Sequence, residues 1–154
     1  MIEKTIAKIL TKRKLTLAVA ESCTGGLISH SLTNIPGSSK YFLLGVTAYA
    51  NTAKTQILGV KSQTLKDHGA VSKETAMELS TNVRRLAQSN IGLAVTGIAG
   101  PGGALPSKPV GIVFISVCIG HHMYFKKYKF SGNRLRIKTL AKNAALELLK
   151  ECLE

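Results

Sequence analysis

Apolar positions along this chain change their period several times, and each change predicts an element. Ile2, Ile6, Ile9 and Leu10 recur at helical spacing and give one apolar face to an opening helix that ends near Arg13. Leu15 to Ala20 (LTLAVA) is a short apolar run with β-branched members, the pattern of a buried strand. It runs through ESCTGG into LISHSLTNI, which predicts strand, tight Gly-containing turn and helix in that order. After a loop at Asn34 to Ser39, Tyr41 to Ala50 reads as a second strand. Asn51 then caps a short helix closed by Gly59. Ser62 caps another short helical piece, broken by Gly69. Ser72 caps a longer helix to about Gln88, with Glu74 in its first turn, where the helix dipole favours a carboxylate.

Ile91 to Thr96 predicts the third strand, and the segment that follows, Gly97 to Pro109, is too rich in Gly and Pro for regular structure. Val110 to Ile119 and Met123 to Phe130 are joined tightly near Gly120 and read as a hairpin. A final helix from about Asn133 to Leu153 carries Ile137, Leu140, Ala141, Ala144 and Leu148 on one stripe. Helices alternating with the first three apolar strands predict a mainly parallel sheet covered on both faces. The hairpin adds an antiparallel strand, so the sheet is expected to be mixed. The long irregular segment 97–109 reads as a binding loop, not a domain boundary.

Composition narrows the class. The chain has 154 residues, 45% of them hydrophobic and 19% charged, enough for one domain with a real core and too apolar for a disordered chain. No apolar stretch approaches the ~18 residues of a membrane span, and the N-terminus lacks the order of a secretory signal. A soluble, cytoplasmic protein is the expectation. Lys and Arg outnumber Asp and Glu by 21 to 8, a formal net charge of +13, which favours anionic partners. No acidic residue lies between Glu78 and Glu147. Aromatic residues are only 5%, so stacking platforms for single-stranded nucleic acid are scarce and nucleic acid is not the expected partner. Cys23, Cys118 and Cys152 form no disulfide framework, and His30, His68, His121 and His122 have no ligand spacing, so no metal site is expected.

Candidate chemistry collects where the strands end. Glu21, Ser22, Cys23, Thr24, Gly25 and Gly26 follow the first strand, at the edge where open α/β sheets bind ligands. The glycines permit close backbone approach, and the amides of the turn can hold an anion or a developing oxyanion. Ser22 is a nucleophile only if a base reaches it; otherwise it is a capping residue. Lys54, beyond Tyr49 and Asn51 at the end of the second strand, is better placed than any histidine, provided burial or nearby cations bring its pKa from ~10.4 to roughly 7–8. The alternative for Lys54 is an ordinary surface lysine. The loop with Gly100, Gly102 and Gly103 exposes many N–H groups on the same edge, and Lys108 and Arg134 can add cationic contacts to a phosphate. These segments predict a pocket without naming its ligand.

Taken in order, AESCTGG (20–26), PGSS (36–39), YANTAK (49–54), LGV (58–60), HGAVS (68–72), TGIAGP (96–101), KPVG (108–111) and FSGNR (130–134) closely resemble the CinA C-terminal-domain family. The characterised enzymes of that family are nicotinamide-nucleotide amidohydrolases. The resemblance covers about Ile6 to Leu149. It implies a three-layer α/β/α sandwich with a mixed, mainly parallel five-stranded sheet. It also implies hydrolysis of the carboxamide of nicotinamide mononucleotide to nicotinic acid mononucleotide and ammonia, with no metal or organic cofactor. The family's serine maps to Ser22, its lysine to Lys54 and its tyrosine to Tyr49. A homodimer, and a stand-alone domain without the N-terminal part of full-length CinA proteins, are further implications.

On that resemblance, neutral Lys54 takes the Ser22 proton, amides near Cys23 to Gly26 hold the oxyanion, and Tyr49 orients Lys54 or relays the proton. Glu21 holds either the loop or a ribose hydroxyl. Asn51, Gly100, Gly102, Gly103, Lys108 and Arg134 join Glu21, Cys23, Thr24, Gly25 and Gly26 in the expected substrate site. Two departures stand out: Asn133 replaces the Asp of many relatives, and Leu105-Pro106 makes the glycine loop less polar. Three other readings remain open: a non-catalytic nucleotide- or phosphate-binding domain, a basic nucleic-acid-binding protein, and a Cys23 nucleophile.

Overall fold

The computed structural model describes residues 1–154. Five strands form one sheet: β1 (Leu17–Glu21), β2 (Phe42–Thr47), β3 (Ile91–Gly97), β4 (Ile112–Ile119) and β5 (His122–Lys129). Their spatial order is β2-β1-β3-β4-β5, with β2, β1 and β3 parallel and β4 and β5 antiparallel to their neighbours. Six helices accompany the sheet: α1 (Ile2–Arg13), α2 (Leu27–Thr33), α3 (Asn51–Gln56), α4 (Ser62–His68), α5 (Lys73–Ala87) and α6 (Arg134–Leu153). This is the expected mixed α/β sandwich. None of the helices is long and apolar enough to cross a membrane.

The two faces of the sheet differ because the strands alternate large and small residues. Leu17 and Val19 of β1, Ile91, Leu93 and Val95 of β3, and Val113, Ile115 and Val117 of β4 face one way. They pack against α1, α2 and α6 through Ile6, Leu10, Ile28, Leu32, Ile137 and Leu149, which make the main core. The opposite face offers Ala18, Ala20 and Ala94 to Leu79 and Val83 of α5. Gly92 continues that small-residue row: a Cβ there would lie 1.9 Å from the Ser80 carbonyl oxygen. Helix α5 therefore rests almost on the backbone of the sheet.

Several boundaries move relative to the sequence reading. Strand β2 stops at Thr47 instead of Ala50, and its alternating burial marks it as an edge strand. Asn51 does not cap α3; Ala50 holds that position in extended conformation without a side-chain bond, and Asn51 is the first helical residue. Lys61, not Ser62, likewise occupies the cap of α4. The hairpin begins at Ile112 because Gly111 adopts φ +95° with its Cα against the Phe130 carbonyl, a turn conformation closed to larger residues. Ser72 does cap α5, accepting from the Thr75 N–H at 3.1 Å. Asn133 caps α6, accepting from the Arg136 N–H at 2.9 Å, so it keeps the hydrogen bond an Asp would make and loses only the charge.

Candidate active site

The carboxyl ends of the three parallel strands deliver three segments to one edge of the sheet. The first is the turn 22–26. Its backbone is pinned on both sides: Ser22 N–H donates to the Val95 carbonyl at 3.0 Å, and the Ala48 N–H donates to the Glu21 carbonyl at 2.9 Å. The buried Glu21 carboxylate organises the rest. Oε2 accepts from Thr24 Oγ1 (2.6 Å) and from the N–H groups of Gly26 (3.1 Å) and Ile28 (3.0 Å). Oε1 accepts from the N–H and the hydroxyl of Ser29, both at 2.8 Å. These five bonds offset the desolvation of a buried charge and fix the start of α2 against the turn. Of the two roles open to Glu21, holding the loop is the one its contacts describe.

That arrangement decides which amides are free. The N–H of Gly25 donates to the Ser22 carbonyl, and that of Gly26 is taken by Glu21. The N–H groups of Cys23 and Thr24 donate to no other residue. They are the two donors beside Ser22 that can meet a developing negative charge. Gly25 and Gly26 both have positive φ, +62° and +100°, which the tight passage from strand to helix requires. Ser22 itself is 8% exposed, so its hydroxyl is reachable but shielded.

The second segment carries Tyr49 and Lys54. Helix α3 buries Lys54 to 1% exposure, and Nζ donates to the Tyr49 carbonyl at 2.9 Å. Burial is the main force lowering its pKa from the usual 10.5; the nearby Cys23 opposes that shift weakly. No hydrogen bond joins Nζ to Ser22 Oγ. The contact between Tyr49 and Lys54 therefore runs through the Tyr49 main chain. The Tyr49 ring is 55% exposed, and its hydroxyl accepts from the Arg134 guanidinium at 2.7 Å. Asn51 is exposed at the start of α3. Cys23 is buried, and desolvation pushes its thiol up to about 12, so at neutral pH it is not the thiolate a cysteine nucleophile needs.

The third segment is the glycine loop. Gly100 is buried, and its carbonyl accepts from Arg134 at 2.8 Å, so Arg134 ties the loop to Tyr49. Gly102 and Gly103 are exposed further along. Lys108 donates to the His68 carbonyl and lies with Asp67, Ser72, Lys73 and Glu74 at the start of α5. Its side chain is thus tied to the α4–α5 connection, not to Arg134. The structure also brings in a residue the sequence reading left out. Lys138 of α6 places Nζ 3.4 Å from where a Cβ of Gly25 would stand. The signal was available: Lys138 sits four residues after Arg134, on the same helical face. No group of three or more His, Cys, Asp or Glu side chains is arranged to hold a metal ion.

Comparison with known proteins agrees with this architecture. The CinA C-terminal domain profile matches residues 1–153. A CinA-like protein of Syntrophus aciditrophicus is 50% identical over 99% of the chain, and one of Thermotoga maritima is 45% identical over 99%. The chain spans only 36% and 37% of those two proteins. The solved structure of the competence/damage inducible protein CihA from Agrobacterium tumefaciens superposes with a TM-score of 0.93 at 38% identity, covering 99% of this chain and 94% of that one. The chain belongs to the CinA C-terminal domain family.

Proposed function

We propose that this domain is an amidohydrolase that converts nicotinamide mononucleotide and water to nicotinic acid mononucleotide and ammonia, with Ser22 as nucleophile and Lys54 as base. The observation that carries the reading is the convergence, beside a shielded serine, of two unpaired amides and a buried lysine. Burial lowers the Lys54 pKa from its ordinary value, the direction that favours the neutral form a base requires. In the free protein Nζ rests on the Tyr49 carbonyl. Proton transfer requires it to reach Ser22 Oγ directly or through one water once substrate is bound, a tightening common in Michaelis complexes.

The reaction then runs in two halves. Lys54 accepts the Ser22 proton as Oγ attacks the carboxamide carbon, and the oxyanion forms against the Cys23 and Thr24 N–H groups. Collapse breaks the C–N bond; Lys54 returns the proton and ammonia leaves. Water gives a proton to Lys54 as it attacks the acyl ester, and Lys54 passes that proton to the departing Ser22 Oγ, releasing nicotinic acid mononucleotide and restoring both residues. Arg134, held by Tyr49 and Gly100 without being neutralised, takes the substrate's phosphate. Glu21 stays out of the chemistry as the keystone of the turn.

Incubation of the purified protein with nicotinamide mononucleotide tests the reading. Ammonia and nicotinic acid mononucleotide should appear in equal amounts. Tight binding of the nucleotide without either product would replace the enzyme with a ligand-binding domain of the same fold.

A further inference from the structure

Lys138 is the one cation at the turn that the reaction above does not use. It lies on α6 one turn beyond Arg134, and side chains four residues apart share a helical face about 6 Å apart. The residue is half-buried, and its ammonium lies beside Gly25, 3.4 Å from where a Cβ of that residue would stand. It makes no hydrogen bond, and neither it nor Arg134 forms an ion pair. Two like charges one turn apart repel each other. The first turn of α6 contains no acidic residue to relieve them, and the helix dipole there also disfavours cations. The charge of Lys138 is felt at Cys23 together with that of Lys54, so it faces the same turn as the nucleophile. Arg134 spends two of its donors on neutral acceptors, the Gly100 carbonyl and the Tyr49 hydroxyl, which fix it in place without neutralising it.

We infer that Lys138 and Arg134 together bracket a phosphate monoester over the Gly25–Gly26 turn, with Lys138 a specificity-determining residue that selects phosphorylated substrates. The inference rests on the nucleotide reading of the site. Repulsion between the two cations is relieved when a dianion sits between them, and a compact ammonium can move along the phosphate oxygens while the guanidinium stays fixed.

The test separates this inference from the catalytic one. Binding of ribose 5-phosphate to the full chain, measured by calorimetry at low ionic strength, needs no turnover. Lys138→Ala should weaken it by roughly 10-fold or more, and Lys138→Arg should restore most of it. Lys129→Ala, which removes an exposed lysine of β5, should change it by less than about 2-fold, which accounts for net charge alone. In steady-state assays Lys138→Ala should raise KM for nicotinamide mononucleotide while leaving kcat/KM for nicotinamide riboside, which lacks the phosphate, unchanged. Equal binding of ribose 5-phosphate by Lys138→Ala and Lys129→Ala, with both folded by circular dichroism, overturns the inference. Equal losses on mononucleotide and riboside would also overturn it, because they would assign Lys138 to the reacting end. Failure of all hydrolysis with the binding pattern intact would instead remove the enzymatic reading and leave the phosphate subsite standing.

Discussion

A buried lysine without a carboxylate partner is an unusual expense for a small protein, and Lys54 is such a residue. The residue is 1% exposed, and its ammonium has only the Tyr49 carbonyl as acceptor. Because the folded state disfavours its charged form, the unfolded chain binds more protons over the interval between the lowered folded pKa and the unfolded 10.5. Stability should therefore rise with pH through that interval. Lys54→Met should abolish this rise and leave the thermal midpoint at neutral pH unchanged or higher, while lowering kcat roughly 10³-fold. A thermal midpoint that falls by several degrees would show that Lys54 is structural. The pH profile of kcat/KM should rise on a limb centred below the ordinary lysine value. Glu21 makes the opposite case: its two oxygens face five donors. In Glu21→Gln an NH₂ group must face some of those N–H groups, so a loss of about 3 kcal/mol in unfolding free energy is expected, read from urea denaturation. An unchanged midpoint would mean the turn holds itself.

Among the elements, the contact of α5 with the sheet depends most on one position. Gly92→Ala would drive a methyl group into the Ser80 carbonyl and push α5 away from β3, at a cost of about 3 kcal/mol. Thermal unfolding of that variant checks it, and a shift within error would deny the close approach. This alternation of large and small residues, like the strand-turn-helix of residues 17–33, is legible in the sequence because it is set by neighbours along the chain. The end of β2 was not: Ala48 to Ala50 are apolar and read as strand, yet they leave the edge of the sheet to lead into α3. Ser22 and Lys54 could be proposed from their places after two parallel strands. The role of the Tyr49 carbonyl could not, since main-chain acceptors leave no mark in side-chain patterns. Lys138 was missed for a different reason. Helical spacing pairs it with Arg134, but only tertiary packing brings that face of α6 over Gly25. Lys108 shows the converse, a cation close to the glycine loop in sequence that is drawn to the His68 carbonyl.

Across the whole molecule, a net charge of +13 surrounds the proposed nucleotide site. A positive field concentrates anionic substrate near the surface and is screened by salt. The account therefore predicts that kcat/KM for nicotinamide mononucleotide falls several-fold, roughly, between low salt and 0.15 M ionic strength, with kcat little changed. A salt-independent kcat/KM would mean that the excess charge is a solvated surface without a part in substrate capture.

The covalent step carries the central claim. Wild-type protein mixed with nicotinamide mononucleotide, quenched in acid within a turnover and digested, should yield the peptide spanning Ser22 with the nucleotide's acyl group esterified to that residue. Ser22→Ala should yield neither adduct nor ammonia, and Lys54→Ala should form both far more slowly. Steady ammonia release by Ser22→Ala at the wild-type rate would contradict the account directly.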